Sequence, residues 1–225
     1  MRFSGLHFSP SSIDVQIELQ SLRPFPIPDK FIPESEVWEK SLRIESGMKC
    51  LLAAQSGKGK STLLHILYGL RNDYDGDALL DGHIVSQRNS RQWQKIRRKG
   101  ISLLFQDLKL FPQLTAKENI ELIPETNPEA LPIEDMLEKT GMAEFSGKKI
   151  GTLSFGQRQR VALLRALRKP FELLLLDEPF SHLDEENTAH ACRLIVETVE
   201  RNRASLIISS LGGDPPISFD ERFRL

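Results

Sequence analysis

The sequence predicts an α/β fold in which a mainly parallel β-sheet is covered by helices on both faces. The first observation is an apolar segment, CLLAA at residues 50–54, that leads through a glycine-rich turn into STLLHILYGL, whose apolar residues recur at helical spacing. The second is a pair of continuously apolar runs, LLLL at residues 173–176 and LIIS at residues 206–209. Strands that are apolar on both sides and alternate with helices are typical of a parallel sheet buried on both faces.

The residues before this core predict an N-terminal antiparallel β region. IDVQIEL at residues 13–19 alternates apolar and polar side chains, which is the pattern of a half-exposed strand. RPFPIPDKFIPES at residues 23–35 contains four prolines and therefore does not form a helix interior. Further along, Asp81 and Gly82 lie between apolar residues, which predicts a type I′ hairpin turn.

The segments that follow predict a surface helix and a further buried strand. RQWQKIRRK at residues 91–99 is basic and amphipathic. We interpret it as a solvated helix face rather than a nucleic-acid site. ISLLF at residues 101–105 is continuously apolar and predicts a strand of the parallel sheet.

The middle of the chain predicts a small helical insertion. Thr115 and Glu118 have the spacing of a capping box, in which each side chain satisfies a free backbone amide of the other residue at a helix start. Pro132 suits the first turn of a further helix, which Gly141 would end. Residues 161–167 then continue the helical pattern.

Length and composition predict one ordinary globular domain. The chain has 225 residues, of which 40% are hydrophobic and 27% charged, and this length buries a sizeable core. We expect residues 1–106 and 170–225 to form the core with the β region, and residues 107–169 to form the helical subdomain. Thirty Lys and Arg against 31 Asp and Glu give a net charge of -1. This balance argues against nucleic acid as the partner, because binding to a phosphate backbone depends on an excess of cations.

Cysteine content and hydropathy predict a cytoplasmic protein. Cys50 and Cys192 lie far apart and not at metal-ligand spacing, so we expect neither a disulfide nor a zinc site. No apolar run approaches the roughly 18 residues that a membrane span needs. The first segment, MRFSGLHFSPSS, is too polar for a signal peptide. Any role at a membrane would therefore come through a partner.

The glycine-rich turn carries the first chemical motif. AAQSGKGKST at residues 53–62 matches the end of the P-loop pattern GxxxxGK[ST], which predicts an α/β P-loop NTPase core. Glycines let backbone amides curl around phosphates, Lys60 adds a positive charge, and the Ser61 hydroxyl suits Mg²⁺. The nucleotide-binding candidates in this loop are Ser56, Gly57, Lys58, Gly59, Lys60, Ser61 and Thr62.

The second motif stands at the end of the LLLL strand. Asp177 and Glu178 follow it in LLLLDEP, which places two carboxylates at the edge where open α/β sheets bind ligands. We expect Asp177 to hold the Mg²⁺ shell and Glu178 to orient or deprotonate an attacking water. The alternative is an acidic pair that caps a helix, and the P-loop upstream favours the first interpretation.

A third motif, LSFGQRQRVALLRA from residue 153, resembles the signature loop of ATP-binding cassette proteins, usually written LSGGQ. Gln106, after ISLLF, matches the Q-loop glutamine of that family, and SHLD at residues 181–184 resembles its D-loop. The resemblance covers roughly residues 47–210, with the P-loop, signature and DEP elements in the order and separation of the family. The chain is therefore identified as similar to an ATP-binding cassette ATPase.

The resemblance implies a dimer, because cassettes of this family pair head to tail and place each ATP between one P-loop and the signature of the other subunit. Ser154, Gly156 and Gln157 would then contact the γ-phosphate bound to the partner chain. The catalytic candidates are Glu178, Lys60, Gln106 and Ser210, and the metal candidates are Ser61, Gln106 and Asp177. The implied ligands are ATP and Mg²⁺. The implied partners are a second cassette, identical or different, and integral membrane permease subunits, which would hold the protein at the inner face of the cell membrane.

Three positions depart from the family pattern. Ala54 replaces the first P-loop glycine, which costs about 1–2 kcal/mol if the position requires a positive φ. Phe155 replaces the first signature glycine, so the loop needs room for a ring beside the phosphate. Ser210 stands where the family usually has a histidine on the γ-phosphate, and losing a hydrogen bond to a charged group costs about 1.5–3 kcal/mol. We therefore expect slow hydrolysis, with Ser210 or an ordered water making that contact.

The resemblance also suggests an adenine site and a docking surface. Phe25 is the candidate for the aromatic ring that stacks on adenine, Phe31 is nearly as suitable, and a structural aromatic is the alternative. Trp38 is interpreted as a core residue. The groove between Gln106 and the insertion, around LKLFP at residues 108–112, is the expected docking surface for a membrane partner, although these apolar residues also suit the core of the insertion.

The resemblance favours a motor subunit that hydrolyses Mg-ATP and drives a membrane protein. Within the family the chain looks most like the small lipoprotein-release, macrolide-export and cell-division cassettes, and a short importer cassette is the alternative. A nucleotide-gated structural or signalling module with little turnover is a second function, which Ala54, Phe155 and Ser210 suggest. The retained carboxylate of Glu178 argues against it. A DNA-repair or chromosome ATPase would need a long coiled-coil insertion, for which 225 residues leave no space.

Overall fold

The structure, a computed structural model, describes residues 15–225. The strands in chain order are β1 (Ile17–Pro24), β2 (Ser41–Ile44), β3 (Lys49–Ala53), β4 (Tyr74–Leu80), β5 (His83–Ile84), β6 (Ile101–Leu104), β7 (Leu173–Asp177), β8 (Ser205–Ser210) and β9 (Glu221–Arg224). The α-helices are α1 (Lys60–Leu67), α2 (Ser90–Lys99), α3 (Ala116–Glu121), α4 (Ile133–Lys139), α5 (Phe155–Arg168) and α6 (Glu185–Asn202). Short 3₁₀ helices occur at Asp29–Phe31, Val85–Gln87, Ala143–Phe145 and Ile150–Thr152.

An antiparallel sheet forms the first layer, with strands in the order β2-β1-β4-β5. The strand predicted at residues 13–19 begins outside the described residues. Within them, Ile17 and Leu19 of β1 are buried, as the alternating pattern predicted. Between β4 and β5, Asp81 and Gly82 have φ values of 54° and 71°. Both are positive, as a type I′ turn requires, and the predicted hairpin is confirmed.

A parallel sheet forms the second layer, in the order β6-β7-β8-β3-β9. Every neighbouring pair of strands in it is parallel, which confirms the mainly parallel sheet. The carboxyl ends of β3, β7 and β8 adjoin, and the P-loop and the two acidic residues follow β3 and β7. The edge strand β9 was not predicted, because Phe223 is its one buried residue.

The parallel sheet separates two sets of buried apolar residues in the described chain. On one face, Leu174 and Leu176 of β7 pack with residues of α3 to α6. On the other face, Leu173 and Leu175 pack with residues of α1 and the antiparallel sheet. Alternate residues of one strand enter opposite halves of the core because strand side chains alternate in direction. The continuous LLLL run is therefore buried on both faces, as predicted.

The helical segment, residues 107–169, contains α3, α4 and α5. Thr115 Oγ1 accepts a hydrogen bond from the Glu118 backbone N–H at 3.2 Å, and the Glu118 carboxylate accepts one from the Thr115 N–H at 2.7 Å. The predicted capping box is confirmed. Gly141 follows the end of α4 with a φ of 63°, as expected of a residue that ends a helix. Pro132 is the N-cap of α4 rather than a residue of its first turn, which corrects that prediction by one position.

The two cysteines lie on opposite faces of the parallel sheet. Cys50 packs with the residues of α1 and the antiparallel sheet, and Cys192 packs with the helical residues. Both are buried free thiols, and burial raises the pKa of each to about 12. They are packing residues rather than reactive thiols. No helix within residues 15–225 combines the length and apolar composition of a membrane span.

Candidate nucleotide-binding site

The loop between β3 and α1 has the backbone conformation that a P-loop requires. Gly57 and Gly59 have φ values of 82° and 101°, a region that residues with a Cβ adopt only with strain. Ala54 is not at a positive φ. Its replacement of the first glycine therefore brings no backbone strain. Because α1 begins at Lys60, directly after Gly59, its free N–H groups face the loop.

Gly59 is also enclosed by side chains of the antiparallel region. A Cβ at this position would lie 2.7 Å from Cδ1 of Ile27 and 2.8 Å from Cζ2 of Trp38. The indole N–H of Trp38 donates to the backbone oxygen of Lys58 at 3.1 Å. Trp38 is fully buried, which confirms it as a core residue. It also holds the loop in place, a role that the sequence did not indicate.

Three of the predicted catalytic side chains meet beside this loop. Lys60 Nζ lies 3.3 Å from Glu178 Oε1, and Gln106 Nε2 donates to Glu178 Oε2 at 3.4 Å. Lys60 also donates to the backbone oxygen of Ala54 at 2.8 Å. A cavity of about 250 Å³ is lined by Pro26, Ile27, Ser56, Gly57, Gly59, Lys60, Ser61, Thr62, Gln106 and Glu178. A buried ammonium beside curled backbone amides favours an anionic ligand such as a phosphate.

Glu178 has a strained backbone whose N–H and carbonyl oxygen are both held by hydrogen bonds. Its φ is 50°, and a non-glycine residue in this region costs on the order of 1–3 kcal/mol. Its N–H donates to Ser209 Oγ at 2.9 Å, and its backbone oxygen accepts from Gln159 Nε2 at 2.9 Å. Neither Ser209 nor Gln159 was identified from the sequence. Each residue has a weak signal in the sequence. Ser209 is a polar residue in an apolar strand, and Gln159 is a polar residue on the apolar side of a helix.

Asp177 fits the predicted magnesium ion. One carboxylate oxygen, Oδ1, accepts a hydrogen bond from Ser209 Oγ at 2.7 Å. The other oxygen, Oδ2, is buried and has no hydrogen-bond partner among residues 15–225. A buried carboxylate oxygen without a partner suits a cation. Ser61 and Gln106 line the P-loop cavity. Together with Asp177 they provide the oxygen ligands that Mg²⁺ prefers.

The three predicted signature residues lie together at the start of α5. Ser154 is its N-cap, since Ser154 Oγ accepts from the Gln157 N–H at 3.2 Å and Gln157 Oε1 accepts from the Ser154 N–H at 2.9 Å. This capping box starts the helix at Phe155 rather than at residue 161. In the described part of the chain, Ser154, Gly156 and Gln157 do not line the cavity at the P-loop. The signature and the P-loop of one chain therefore do not form one site.

Phe155 packs against the segment that resembles a D-loop. Its ring centroid lies 4.2 Å from that of His182 at an interplanar angle of 48°, and the Arg158 guanidinium lies 5.4 Å from the ring. Gly156 is the position where no side chain fits, because a Cβ there would lie 2.7 Å from the backbone oxygen of His182. The phenylalanine is therefore accommodated, and the following glycine joins α5 closely to the D-loop.

Comparison with known proteins identifies the family of this chain. A family model described as ABC transporter matches residues 38–181. The chain belongs to this family. An uncharacterized ABC transporter ATP-binding protein of Mycobacterium tuberculosis is 34% identical over 171 residues, which are 74% of this chain and 69% of that protein. The phosphonates import ATP-binding protein PhnC 2 of Synechococcus is 34% identical over 185 residues, which are 75% of this chain and 67% of that protein.

Solved structures of ABC cassettes have the same fold. The ATP-binding cassette MJ0796, in a dimeric post-hydrolysis state with ADP and Pi, matches with a TM-score of 0.71 at 26% identity and covers 86% of this chain and 87% of its own. A second dimeric structure of MJ0796, described as a bacterial ABC transporter cassette, matches with a TM-score of 0.68 at 28% identity. The predicted α/β P-loop NTPase core is confirmed, and the chain is an ABC-type ATPase that binds ATP.

Ser210 of this ABC cassette lies beside Glu178 with its hydroxyl already bonded. The two residues line a cavity of about 350 Å³ that also includes Ser181. Ser210 Oγ donates to the backbone oxygen of Gly213 at 2.7 Å and accepts from the N–H of Gly212 at 3.3 Å. Its single hydrogen is used within the loop, so contact with a phosphate would require that bond to break.

The Ser210→His variant is expected to hydrolyse ATP about 10- to 100-fold faster than the wild type, because a hydrogen bond to a charged group contributes about 1.5–3 kcal/mol. Phosphate release from Mg-ATP measures the change. The Ser210→Ala variant is the control and should stay near the wild-type rate, since the wild-type hydroxyl bonds within its own loop. A Ser210→His rate equal to wild type would show that the absent imidazole does not limit the reaction.

The two adenine candidates lie near the P-loop of the cassette but outside its cavity. Phe25 is 63% exposed, while the next residues along the chain, Pro26 and Ile27, line the cavity. The ring of Phe31 lies 5.5 Å from Nζ of Lys58. An exposed ring beside the cavity suits stacking on a base, and both residues stay predictions.

The predicted docking groove of the cassette is open and mainly apolar. A cavity of about 270 Å³ lies between the parallel sheet and the helical segment, lined by Tyr68, Ser102, Leu103, Leu104, Phe105, Leu108, Phe111, Leu122, Ile123, Pro124, Ala162, Arg165, Ala166 and Lys169. Leu108 is buried, whereas Phe111 is 54% and Leu122 47% exposed. The LKLFP segment therefore contributes both to the core and to the surface. At the groove, burial lowers the pKa of the Lys169 ammonium to about 8.

Proposed function

We propose that this ABC ATPase is the motor subunit of a membrane transporter, and that it pairs head to tail with a second cassette around Mg-ATP. One observation carries the proposal. Lys60, Gln106 and Glu178 converge at the P-loop cavity, whereas the signature residues of the same chain lie at the start of α5, outside it. A second cassette would bring its signature to this cavity. The dimeric structures of MJ0796 support the pairing of two cassettes.

The proposed hydrolysis uses side chains that are already in contact. Lys60 would exchange the backbone oxygens of Ala54 and Gln55 for phosphate oxygens, which separates its ammonium from Glu178. A carboxylate oxygen of Glu178 would then accept a proton from the attacking water, as the water oxygen bonds to the γ-phosphorus and the bond to the β-phosphate oxygen breaks to release ADP. The Gln106 amide would hold that carboxylate in position. When bound, Mg²⁺ supplies positive charge at the phosphate oxygens, and Asp177, Ser61 and Gln106 would hold it.

The membrane partner would dock in the groove between Gln106 and the helical segment. Exposed Phe111 and Leu122 line that groove, and exposed apolar side chains in a concave surface mark sites of protein association. Docking there would place the protein at the inner face of the cell membrane through its permease. STLLHILYGL and FQDLKLFPQLTAKENI support the lipoprotein-release or macrolide-export type.

A nucleotide-gated module with little turnover is the second candidate function. The observation that favours it is the Ser210 hydroxyl, which bonds to Gly213 of its own loop and leaves the cavity beside Glu178 without an imidazole at this position. The contacts of Glu178 with Lys60 and Gln106 favour turnover instead, because they keep a buried carboxylate at the phosphate-binding loop.

A groove variant tests the transporter proposal. Tagged wild-type protein purified from detergent-solubilised native membranes is expected to retain an integral membrane permease. The Leu122→Asp variant should lose it while it still binds ATP, since a buried unpaired charge opposes docking. Leu70→Asp is the matched control, because Leu70 is 48% exposed and outside the groove. Wild-type protein that recovers no permease, or equal recovery with both variants, would contradict docking in this groove.

A further inference from the structure

We infer that Ser209 is a positioning residue that sets both carboxylates of the hydrolytic site through one hydroxyl group. It lies on β8 directly beside Asp177 of β7 in the parallel register, and it is 1% exposed. The inference rests on the roles proposed above for Asp177 and Glu178. It does not depend on the membrane partner.

The single hydrogen of the Ser209 hydroxyl is committed to Asp177. Ser209 Oγ donates to Asp177 Oδ1 at 2.7 Å, while Asp177 Oδ2 has no hydrogen-bond partner among the described residues. A carboxylate group has two equivalent oxygens, and it rotates freely unless one of them is bound. The bond from Ser209 therefore fixes the rotation of Asp177 and leaves Oδ2 free for the metal.

The lone pairs of the same oxygen accept a hydrogen bond from Glu178. Ser209 Oγ accepts the Glu178 N–H at 2.9 Å, and this bond satisfies a buried amide of a residue in the left-handed region. Gln159 binds the Glu178 backbone oxygen from the other side. With both ends of the residue held, its side chain faces Lys60 and Gln106 rather than the apolar core. Loss of the Ser209 hydroxyl would therefore release the orientation of Asp177 and of Glu178 together.

Ser205 shows that a buried serine of this strand is not by itself part of the site. It lies at the opposite end of β8, is 1% exposed, and accepts a hydrogen bond from the Gly47 N–H at 2.9 Å. Removal of its hydroxyl affects packing and folding stability but reaches neither Asp177 nor Glu178. The Ser205→Ala variant therefore separates structural effects on β8 from effects on the site.

The test compares Ser209→Ala, Ser209→Thr and Ser205→Ala in the full chain. Calorimetry measures the affinity for a non-hydrolysable ATP analogue with EDTA and again with Mg²⁺, and a Mg²⁺ titration of phosphate release gives the metal requirement and kcat. For Ser209→Ala we expect unchanged affinity in EDTA. The gain in affinity on adding Mg²⁺ should fall about 10-fold, and kcat about 10- to 100-fold, as is typical when a group that orients a metal ligand is removed.

The conservative variant keeps the test decisive. Ser209→Thr retains the hydroxyl and should stay near wild type in both measurements, whereas Ser205→Ala should lower the unfolding midpoint without changing the Mg²⁺ dependence. If the Ser209→Ala variant had the same Mg²⁺ dependence and the same kcat as the Ser205→Ala variant, the inference would be overturned. An Asp177→Asn variant that keeps the full gain from Mg²⁺ would instead show that the proposed metal site is wrong.

Discussion

The Glu178→Gln variant is expected to lose ATP hydrolysis almost completely while it still binds Mg-ATP. Removal of a general base typically lowers the rate by about 10²–10⁴-fold. The amide keeps the shape of the side chain, and the Glu178 backbone stays bonded to Ser209 and Gln159. The loop conformation should therefore persist. Phosphate release gives the rate. Light scattering with ATP should show a dimer that persists in the variant, whereas the wild-type dimer dissociates after hydrolysis.

The control for this variant is Glu144→Gln, because Glu144 is an exposed carboxylate of the helical segment and lies outside the P-loop cavity. It should hydrolyse ATP at the wild-type rate. A Glu178→Gln rate within a few-fold of wild type would remove Glu178 as the base. Loss of hydrolysis with unchanged ATP binding but no ATP-dependent dimer would support Glu178 as the base and contradict the head-to-tail pairing.

Substitution of Gly156 is expected to have the second-largest effect. A Cβ in Gly156→Ala would lie 2.7 Å from the backbone oxygen of His182. Both contacting groups belong to the backbone, so the start of α5 or the D-loop must move to relieve the contact. A misplacement of about 1 Å at a reacting group costs roughly 10²-fold in rate. We therefore expect hydrolysis to fall by about that factor, with ATP binding at the P-loop unchanged because Gly156 lies outside that cavity.

Gly147→Ala is the matched control for this change. Gly147 lies in the same helical segment, and a Cβ there would meet no atom within 4 Å. Its hydrolysis and ATP-dependent dimerisation should equal those of the wild type. If Gly156→Ala dimerised and hydrolysed ATP normally, the close contact between the signature and the D-loop would have no part in the reaction.

Short-range patterns predicted the elements that depend on nearby residues. The P-loop, the LLLL strand and the capping box at Thr115 follow from spacing alone, because a turn, a strand face or a helix cap is set within a few residues. The apolar pattern predicts a helix only from residue 161, whereas α5 begins at Phe155. The Ser154 and Gln157 side chains cap its first turn, a role that the resemblance to the signature loop does not indicate.

Ser209 and Gln159 could not be assigned from the sequence, because their partners are remote along the chain. Ser209 bonds to Asp177, which lies 32 residues away, and Gln159 bonds to Glu178 at a separation of 19. The parallel register of β7 and β8 brings the first pair together, and the packing of α5 brings the second. A serine in an apolar strand indicates a buried hydroxyl, but its acceptor is known only once the neighbouring strand is known.

The sequence by itself determined the family of this protein, the P-loop NTPase core and the residues expected at its phosphate and metal sites, since these lie in short motifs whose chemistry depends on local spacing. The tertiary structure decided how those motifs are held. It showed that Ala54 adopts no strained φ, that Trp38 supports the loop, and that the Ser210 hydroxyl bonds within its own loop. Trp38 and Lys58 are 20 residues apart in the chain, and residue spacing does not specify the loop conformations at Ala54 and Ser210, so no local pattern predicts these facts.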